Sequence, residues 1–271
     1  MEDEARLKNF IVRYYEERLK TESKRFISIC YHPGGVETTD RVIEEAGIGE
    51  GSIVLDVASG PGDTAIYLAA NLGSNVVGID LSRKMVDYAD SLVKGVELHH
   101  QVKFVIADAE RLPFKDNVFD AAISECSLCL LPNTLKALSE MKRVVKPETK
   151  VVVSDVVLME NLPASLNNFL SYASCIAGAK TLDEYVDEFK KAGFKEIRTM
   201  NLSPYVVKQI RQFLQDQNLN PKEIMDAGEN LISKLPNKKD TSFKTYETIS
   251  FYLWLCGKIG YSMISGVKPE S

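Results

Sequence analysis

Short runs of apolar residues alternate along the chain with segments in which apolar positions recur at helical spacing. The runs at 52–57, 75–79, 102–106, 118–124, 150–157 and 195–201 predict strands. The segments between them predict helices from 63 to near 73, from Ser82 as an N-cap, over 133–145 and over 181–192. This alternation predicts an α/β, doubly wound, mainly parallel sheet with helices on both faces. In such a sheet, ligands bind at the carboxyl ends of the strands.

The two ends of the chain depart from this alternation. Residues 1 to about 29 have a helical pattern and predict an N-terminal helical cover. A helical insertion precedes a last β-like run at 260–267. We expect the apolar face of this insertion (Ile224, Ala227, Leu231, Ile232) to cover the side of the ligand-binding edge at which a small-molecule acceptor would lie beside a cofactor. The predicted units are a cover at 1–50, a core at 51–203, an insertion or cap at 204–259, and a last strand with tail at 260–271.

The run VLDVASGPGDTA at residues 54–65 predicts a cofactor loop, because Gly60 and Gly62 fall where strand gives way to helix. The same glycines fit the dinucleotide pattern, and Asp80 follows at about the 20-residue offset of a ribose-binding acid. Asp63 argues against NAD, since a carboxylate in the first turn of the helix repels pyrophosphate. Asp56 and Asp63 suit the sulfonium and ammonium of S-adenosylmethionine, which is the predicted cofactor.

Two further acids follow predicted strands in register with Asp56. Asp80, in VVGIDLS, is placed to accept both ribose hydroxyls. Asp108, in ADAERLPF, is placed to accept a proton from the adenine amino group, while the N–H of Ala109 meets a ring nitrogen. Alternatively, Asp80 is a solvent-exposed helix cap.

Composition limits the classes of binding partner that we expect for this chain. The net charge of −5 and pI near 5.4 argue against nucleic acid and favour a small-molecule acceptor. No apolar run approaches the ~20 residues of a membrane span, and the acidic start lacks a signal-peptide core, so we expect a cytoplasmic protein, monomeric or homodimeric. Its five irregularly spaced cysteines are expected to be free thiols.

The motifs VLDVASGPGDTA, GIDLSRKMVDYA, IADAERLPFKDNVFDAAIS and RVVKPETKVVVSD together resemble the class I S-adenosylmethionine-dependent methyltransferases over about 53–198. The resemblance implies a Rossmann-like fold and a methyltransferase activity. Ala58 stands where many members have the first glycine of the loop, as it does in quinone C-methyltransferases. The cofactor-binding residues then expected are Asp56, Ala58, Gly60, Gly62, Asp80, Leu81, Met85, Asp108, Ala109 and Ser124.

A narrower resemblance concerns the cysteines. Cys126 in SEC follows the fourth core strand and Cys175 in SCIAGA follows the fifth, and both segments look like arsenite methyltransferases, which hold trivalent arsenic by two thiolates. A soft metalloid prefers thiolate, and holding it aligns its lone pair with the methyl group. Cys129 and Cys30 are candidates for a third thiol, although neither matches that family's upstream cysteine. Alternatively, these cysteines are apolar core residues.

Other interpretations stay open at this point. The loop VLDVASGPGD also resembles the ubiquinone and menaquinone methyltransferases, which would make the acceptor a carbon of a quinone-like ring. A protein that binds the cofactor without transfer is a third interpretation. His32, Glu125 and Tyr172 are candidates for a general base. No metal site is predicted, because His99 and His100 lack ligand spacing to a second cysteine pair.

Overall fold

A central seven-stranded sheet organises the protein in the computed structural model, which describes residues 2–20, 32–235 and 243–270. Its strands are β1 (Ile53–Val57), β2 (Asn75–Asp80), β3 (Val102–Ile106), β4 (Phe119–Glu125), β5 (Val145–Leu158), β6 (Lys195–Asn201) and β7 (Ile259–Val267). They lie in the order β3-β2-β1-β4-β5-β7-β6. The first five strands are parallel to one another, and β7 runs antiparallel between β5 and β6.

Helices cover both faces of this sheet. They are α1 (Glu2–Lys20), α2 (Val36–Ala46), α3 (Asp63–Leu72), α4 (Arg83–Gly95), α5 (Thr134–Val144), α6 (Phe169–Ala173), α7 (Leu182–Lys191), α8 (Ser203–Asp216), α9 (Pro221–Lys234) and α10 (Phe243–Leu255). Two single 3₁₀ turns lie at Leu128–Leu130 and Ala164–Leu166. The predicted doubly wound α/β fold is confirmed.

Burial explains why the strands read as continuous apolar runs. Val54 and Leu55, neighbours in β1 that point to opposite faces, are both fully buried and belong to two different core clusters. The helix caps follow the sequence signals: the Ser82 side chain accepts the Met85 N–H, and Thr181 with Glu184 forms a capping box. Local signals therefore fix where these helices begin.

The helices before the last strand pack against one another and against β7. Helix α9 packs against α10, and α10 contacts α6, α8 and β7. Within the described part of the chain, no helix is both long enough and apolar enough to cross a membrane.

Candidate functional site

A cleft of about 1100 Å³, including its mouth, opens at the carboxyl ends of β1, β2 and β4. This is the edge at which parallel sheets of this kind bind ligands. The loops after these strands line the cleft on the sheet side, and Lys8, Ile11, Val12 and Tyr15 of α1 line it on the other. The cleft is lined both by the predicted cofactor acids Asp56, Asp80 and Asp108 and by the predicted acceptor thiol Cys126.

The glycine loop bends where the sequence predicts. Gly60 and Gly62 have φ of +52° and +89°, which a residue with a Cβ rarely adopts. A Cβ on Gly62 would also lie 2.5 Å from Cζ of Phe104. The loop is tied to β2 by the Gly60 N–H, which donates to Oδ2 of Asp80 at 3.0 Å. Gly60 lines the cleft, whereas Gly62 packs behind it.

Asp56 is a buried carboxylate beside the cleft with an unsatisfied oxygen. It is 3 % exposed, and its Oδ2 has no hydrogen-bond partner among the described residues. Burial raises its pKa well above the ordinary value, and the charges of Glu125, Asp80 and Asp63 add to the shift. A bound cation would relieve this crowding of negative charge, so the wall of the cleft fits a positively charged ligand group.

Asp108 stands at the other end of the cleft and is held by α1. Lys8 Nζ lies 2.7 Å from Oδ2 of Asp108 and 3.0 Å from Oε2 of Glu110. Burial is the largest effect and opposes ionisation of Asp108, but the hydrogen bonds from Lys8 and from the N–H of Glu110, with the charges of Lys8 and Lys136, together outweigh it, so the pKa of Asp108 is lowered. The carboxylate therefore stays ionised and able to accept hydrogen bonds.

Glu125, at the end of β4, joins a buried polar network on the cleft wall. Its Oε2 accepts a hydrogen bond from Thr64 at 2.8 Å and lies 3.5 Å from Nε2 of His32. Thr39 contacts both Glu125, at 3.3 Å, and His32, at 3.1 Å. His32 and Glu125 line the cleft, so two of the predicted base candidates lie together.

Three thiols cluster where the acceptor of this fold is expected. Cys126 and Cys175, 49 residues apart, have their sulfurs 3.5 Å apart. Cys129 lies beside both of them, close enough to shift the pKa of each. The cluster is held together by a backbone approach, since a Cβ on Gly178 would lie 1.8 Å from the carbonyl oxygen of Cys129.

The three thiols differ in acidity. Hydrogen bonds from Cys126 and Cys129 lower the pKa of Cys175 well below its ordinary value, despite burial. Burial, followed by the interactions of Cys129 with Cys126 and with Cys175, raises the pKa of Cys129. A hydrogen bond from Cys129 lowers the pKa of Cys126, but the contact with Cys175 and burial outweigh it, so this pKa is raised. Cys175 is thus the most acidic thiol of the cluster.

Asp155 of β5 lies beneath this cluster. Its side chain is fully buried, and Oδ2 accepts the N–H of Cys129 at 3.0 Å. Burial, followed by the charge of Cys175, raises the pKa of Asp155 to about 7. The floor of the thiol site is therefore a carboxyl group that titrates near neutrality.

Most of the predicted site residues line the cleft: Asp56, Ala58, Gly60, Asp80, Leu81, Met85, Asp108, Ala109 and Cys126 do so. Gly62, Ser124 and Cys175 lie behind that surface. The Ser124 hydroxyl donates to the carbonyl of Val57 at 3.1 Å. Cys175 lies behind Cys126, with the two sulfurs in contact. Cys30 falls outside the described residues. The described side chains include no group of three or more His, Cys, Asp or Glu arranged to hold a metal ion.

Sequence reasoning missed the residues that reach the cleft from distant elements. Lys8 and Tyr15 lie on α1, and Thr64 lies in the first turn of α3. The spacing of Lys8, Ile11 and Tyr15 places them on one helical face, which was the available signal. None of the described residues of the insertion lines this cleft, and a cover formed by the insertion stays a prediction.

Comparison with known proteins assigns the fold to a class. Phosphoethanolamine N-methyltransferase 2 of Haemonchus contortus, solved with phosphomonomethylethanolamine and S-adenosylhomocysteine, superposes with a TM-score of 0.77 at 22% identity, over 97% of this chain and 60% of that chain. The [4+2]-cyclase SpnF superposes with a TM-score of 0.63 at 24% identity, over 87% and 81%. The architecture is the class I methyltransferase fold.

Sequence comparison gives the family. The chain matches the methyltransferase domain family over residues 48–193, and it therefore belongs to that family. It is 35% identical over 182 residues to a ubiquinone/menaquinone biosynthesis C-methyltransferase of Rickettsia prowazekii, covering 58% of this chain and 73% of the relative. The predicted class, a methyltransferase dependent on S-adenosylmethionine, is confirmed.

Proposed function

We propose that this enzyme transfers a methyl group from S-adenosylmethionine to a small, soft acceptor, such as trivalent arsenic, held by Cys126 and Cys175. The observation that carries the proposal is the 3.5 Å separation of the two sulfurs. Two sulfurs bonded at about 2.3 Å to one shared atom lie this far apart when the angle at that atom is about 100°. Little rearrangement is needed for both to bind one atom.

The cofactor residues fit a cationic, phosphate-free donor. The unpartnered oxygen of Asp56 and the neighbouring acids favour positive charge, whereas they would repel a pyrophosphate. We assign Ala58 and Gly60 to the methionine part, Asp80 to ribose, and Asp108 with Ala109 to adenine. Leu81 and Met85 supply apolar contacts beside these groups. When bound, the cofactor supplies an electrophilic methyl group on sulfur.

The thiol cluster does the remaining work in this proposal. Each thiol forms one sulfur–arsenic bond by displacing a hydroxyl group of arsenite, which leaves as water with the thiol hydrogen, and Cys126, which lines the cleft, turns the bound acceptor toward the cofactor side. Two covalent contacts fix the orientation of the acceptor lone pair. No general base is required, since the attacking lone pair carries no proton.

A second candidate acceptor is the carbon of a quinone-like ring. The Rickettsia relative is named for C-methylation in ubiquinone and menaquinone biosynthesis, which favours this alternative. Here His32 and Glu125, 3.5 Å apart on the cleft wall, would take the ring proton. The cysteines would then only pack the floor. The cytoplasmic location and the monomeric or homodimeric state stay predictions.

Release of S-adenosylhomocysteine separates the two candidates. We expect release that depends on sodium arsenite and glutathione and is lost in Cys126→Ser and Cys175→Ser. Cys256→Ser is the matched control, because that thiol is exposed and outside the cluster, and it should behave like the native enzyme. Arsenite-dependent release that survives both substitutions, or release with a soluble quinol alone, would contradict the proposal. Cofactor binding without release with any acceptor would contradict both candidates.

A further inference from the structure

One face of α1 spans the whole cleft. Four residues of this helix line the cleft: Lys8, Ile11, Val12 and Tyr15. Each lies three or four positions from two of the others, so all four share one side of the helix. At one end, Lys8 is paired with Asp108, which we assign to adenine. At the other end, Tyr15 reaches the thiol cluster. A single helix therefore contacts both the cofactor end and the acceptor end.

Tyr15 touches the segment that carries Cys175. Its hydroxyl lies 3.8 Å from the sulfur of Cys175 and donates to the carbonyl of Ala173 at 3.1 Å. The guanidinium of Arg18, one turn along α1, lies 5.7 Å from the centre of the Tyr15 ring. The phenol is thus held between a cation and the thiol site.

Rotation of one hydrogen lets the hydroxyl of Tyr15 serve either acceptor. An ionised sulfur is a stronger acceptor than a neutral carbonyl, so a thiolate at Cys175 draws the hydrogen toward itself. The pKa of Tyr15 is raised well above its ordinary value by burial and by the charge of Cys175, so the phenol keeps its proton. Tyr15 is accordingly a donor at neutral pH.

We propose that Tyr15 is a positioning residue that donates a hydrogen bond to the sulfur of Cys175, so that helix α1 completes the acceptor site. The inference rests on the proposed function, in which Cys175 binds the acceptor. It assigns α1 a role beyond covering the cleft, because the helix supplies a hydrogen-bond donor to the sulfur that binds the acceptor.

Alkylation of Cys175 by iodoacetamide tests this role without cofactor or acceptor. Cleavage after Lys150 and Lys180 places Cys175 in a peptide of its own, apart from Cys126 and Cys129, so mass spectrometry follows it separately. We expect Tyr15→Phe to slow its alkylation at pH 7 by roughly 3- to 10-fold, as the loss of one hydrogen bond predicts, and to move the midpoint of the pH profile upward.

Tyr88→Phe is the control, since Tyr88 loses the same atom from an exposed position of α4 that does not line the cleft. It should leave the Cys175 profile close to the native one. An unchanged profile in Tyr15→Phe would overturn the inference, and so would faster alkylation at every pH, which indicates exposure alone. Circular dichroism verifies that both variants fold. Failure of the proposed function is a separate result: arsenite binding that persists in Cys175→Ser.

Discussion

Gly178 offers a test of how the thiol site is held together. The residue has no side chain where the segment after α6 crosses the 3₁₀ turn that contains Cys129. A Cβ there would lie 1.8 Å from the Cys129 carbonyl oxygen and 2.5 Å from Cε1 of Tyr172. Ordinary contact begins at 3.4 Å, so in Gly178→Ala the distance between the new Cβ and the Cys129 carbonyl oxygen must increase from 1.8 Å to at least 3.4 Å. The carbonyl belongs to the backbone, and the Cys129 N–H is bonded to Asp155. The two segments must therefore move apart.

The magnitude follows from overpacking. Forcing extra carbon into a packed site costs about 1–3 kcal/mol. For a chain of this size that lowers the melting temperature by roughly 2 to 12 °C. The movement also separates sulfurs that now lie 3.5 Å apart. We expect the affinity for phenylarsine oxide, which needs two adjacent thiols, to fall by about tenfold or more, because the second bond is lost.

Calorimetric melting measures the loss of stability. Titration of the free thiols with phenylarsine oxide measures the loss of affinity. Gly95→Ala is the matched control, since a Cβ there meets nothing within 4 Å, and its stability should stay within about 0.5 kcal/mol of the native protein. Binding of S-adenosylmethionine to Gly178→Ala should persist, because the glycine loop lies on other strands. A Gly178→Ala protein that is as stable as Gly95→Ala and binds the arsenical equally well would refute the reasoning.

Two other predictions concern the buried acids. Asp80→Ala should weaken S-adenosylmethionine binding by about 1.5–3 kcal/mol, as expected for hydrogen bonds to a charged group, and calorimetry that finds an unchanged Kd would refute its ribose role. Asp155 has a pKa raised to about 7 in the folded state against about 3.9 unfolded, so its contribution to stability is full below pH 4 and is lost as the pH rises to 7. Asp155→Asn should lose less stability between pH 5 and 8 than the native protein, because the amide does not ionise, and parallel melting curves would contradict this.

The regular elements could be predicted because their causes are local. The bounds of β3 and the capping box of Thr181 and Glu184 follow from apolar alternation and from side chains three residues apart. The sequence hides the early start of β5 at Val145, since Pro147 argues against a strand and the register shifts near Phe119. The predicted strand there begins only at residue 150. Helix α6, with five residues, is too short to show a period.

The site could be predicted only where a strand end placed it. Asp56, Asp80 and Asp108 follow successive parallel strands, so their meeting follows from topology. The pairing of Lys8 with Asp108 spans 100 residues, and that of Tyr15 with Cys175 spans 160. Contacts at such separation depend on how α1 packs, and local pattern carries no information on that. The cysteine pair could be predicted in part, because the loops that carry Cys126 and Cys175 follow neighbouring strands, β4 and β5.

X-ray absorption at the arsenic edge shows directly whether Cys126 and Cys175 bind arsenic. Arsenite is added to the reduced native protein with S-adenosylhomocysteine bound, so that no methyl group is transferred. We expect at least two sulfur ligands at about 2.3 Å, the usual length of metal–thiolate bonds, and fewer in Cys126→Ser and in Cys175→Ser. A shell of oxygen alone, or a sulfur shell unchanged by either substitution, would contradict the assignment of a soft acceptor to this pair of thiols.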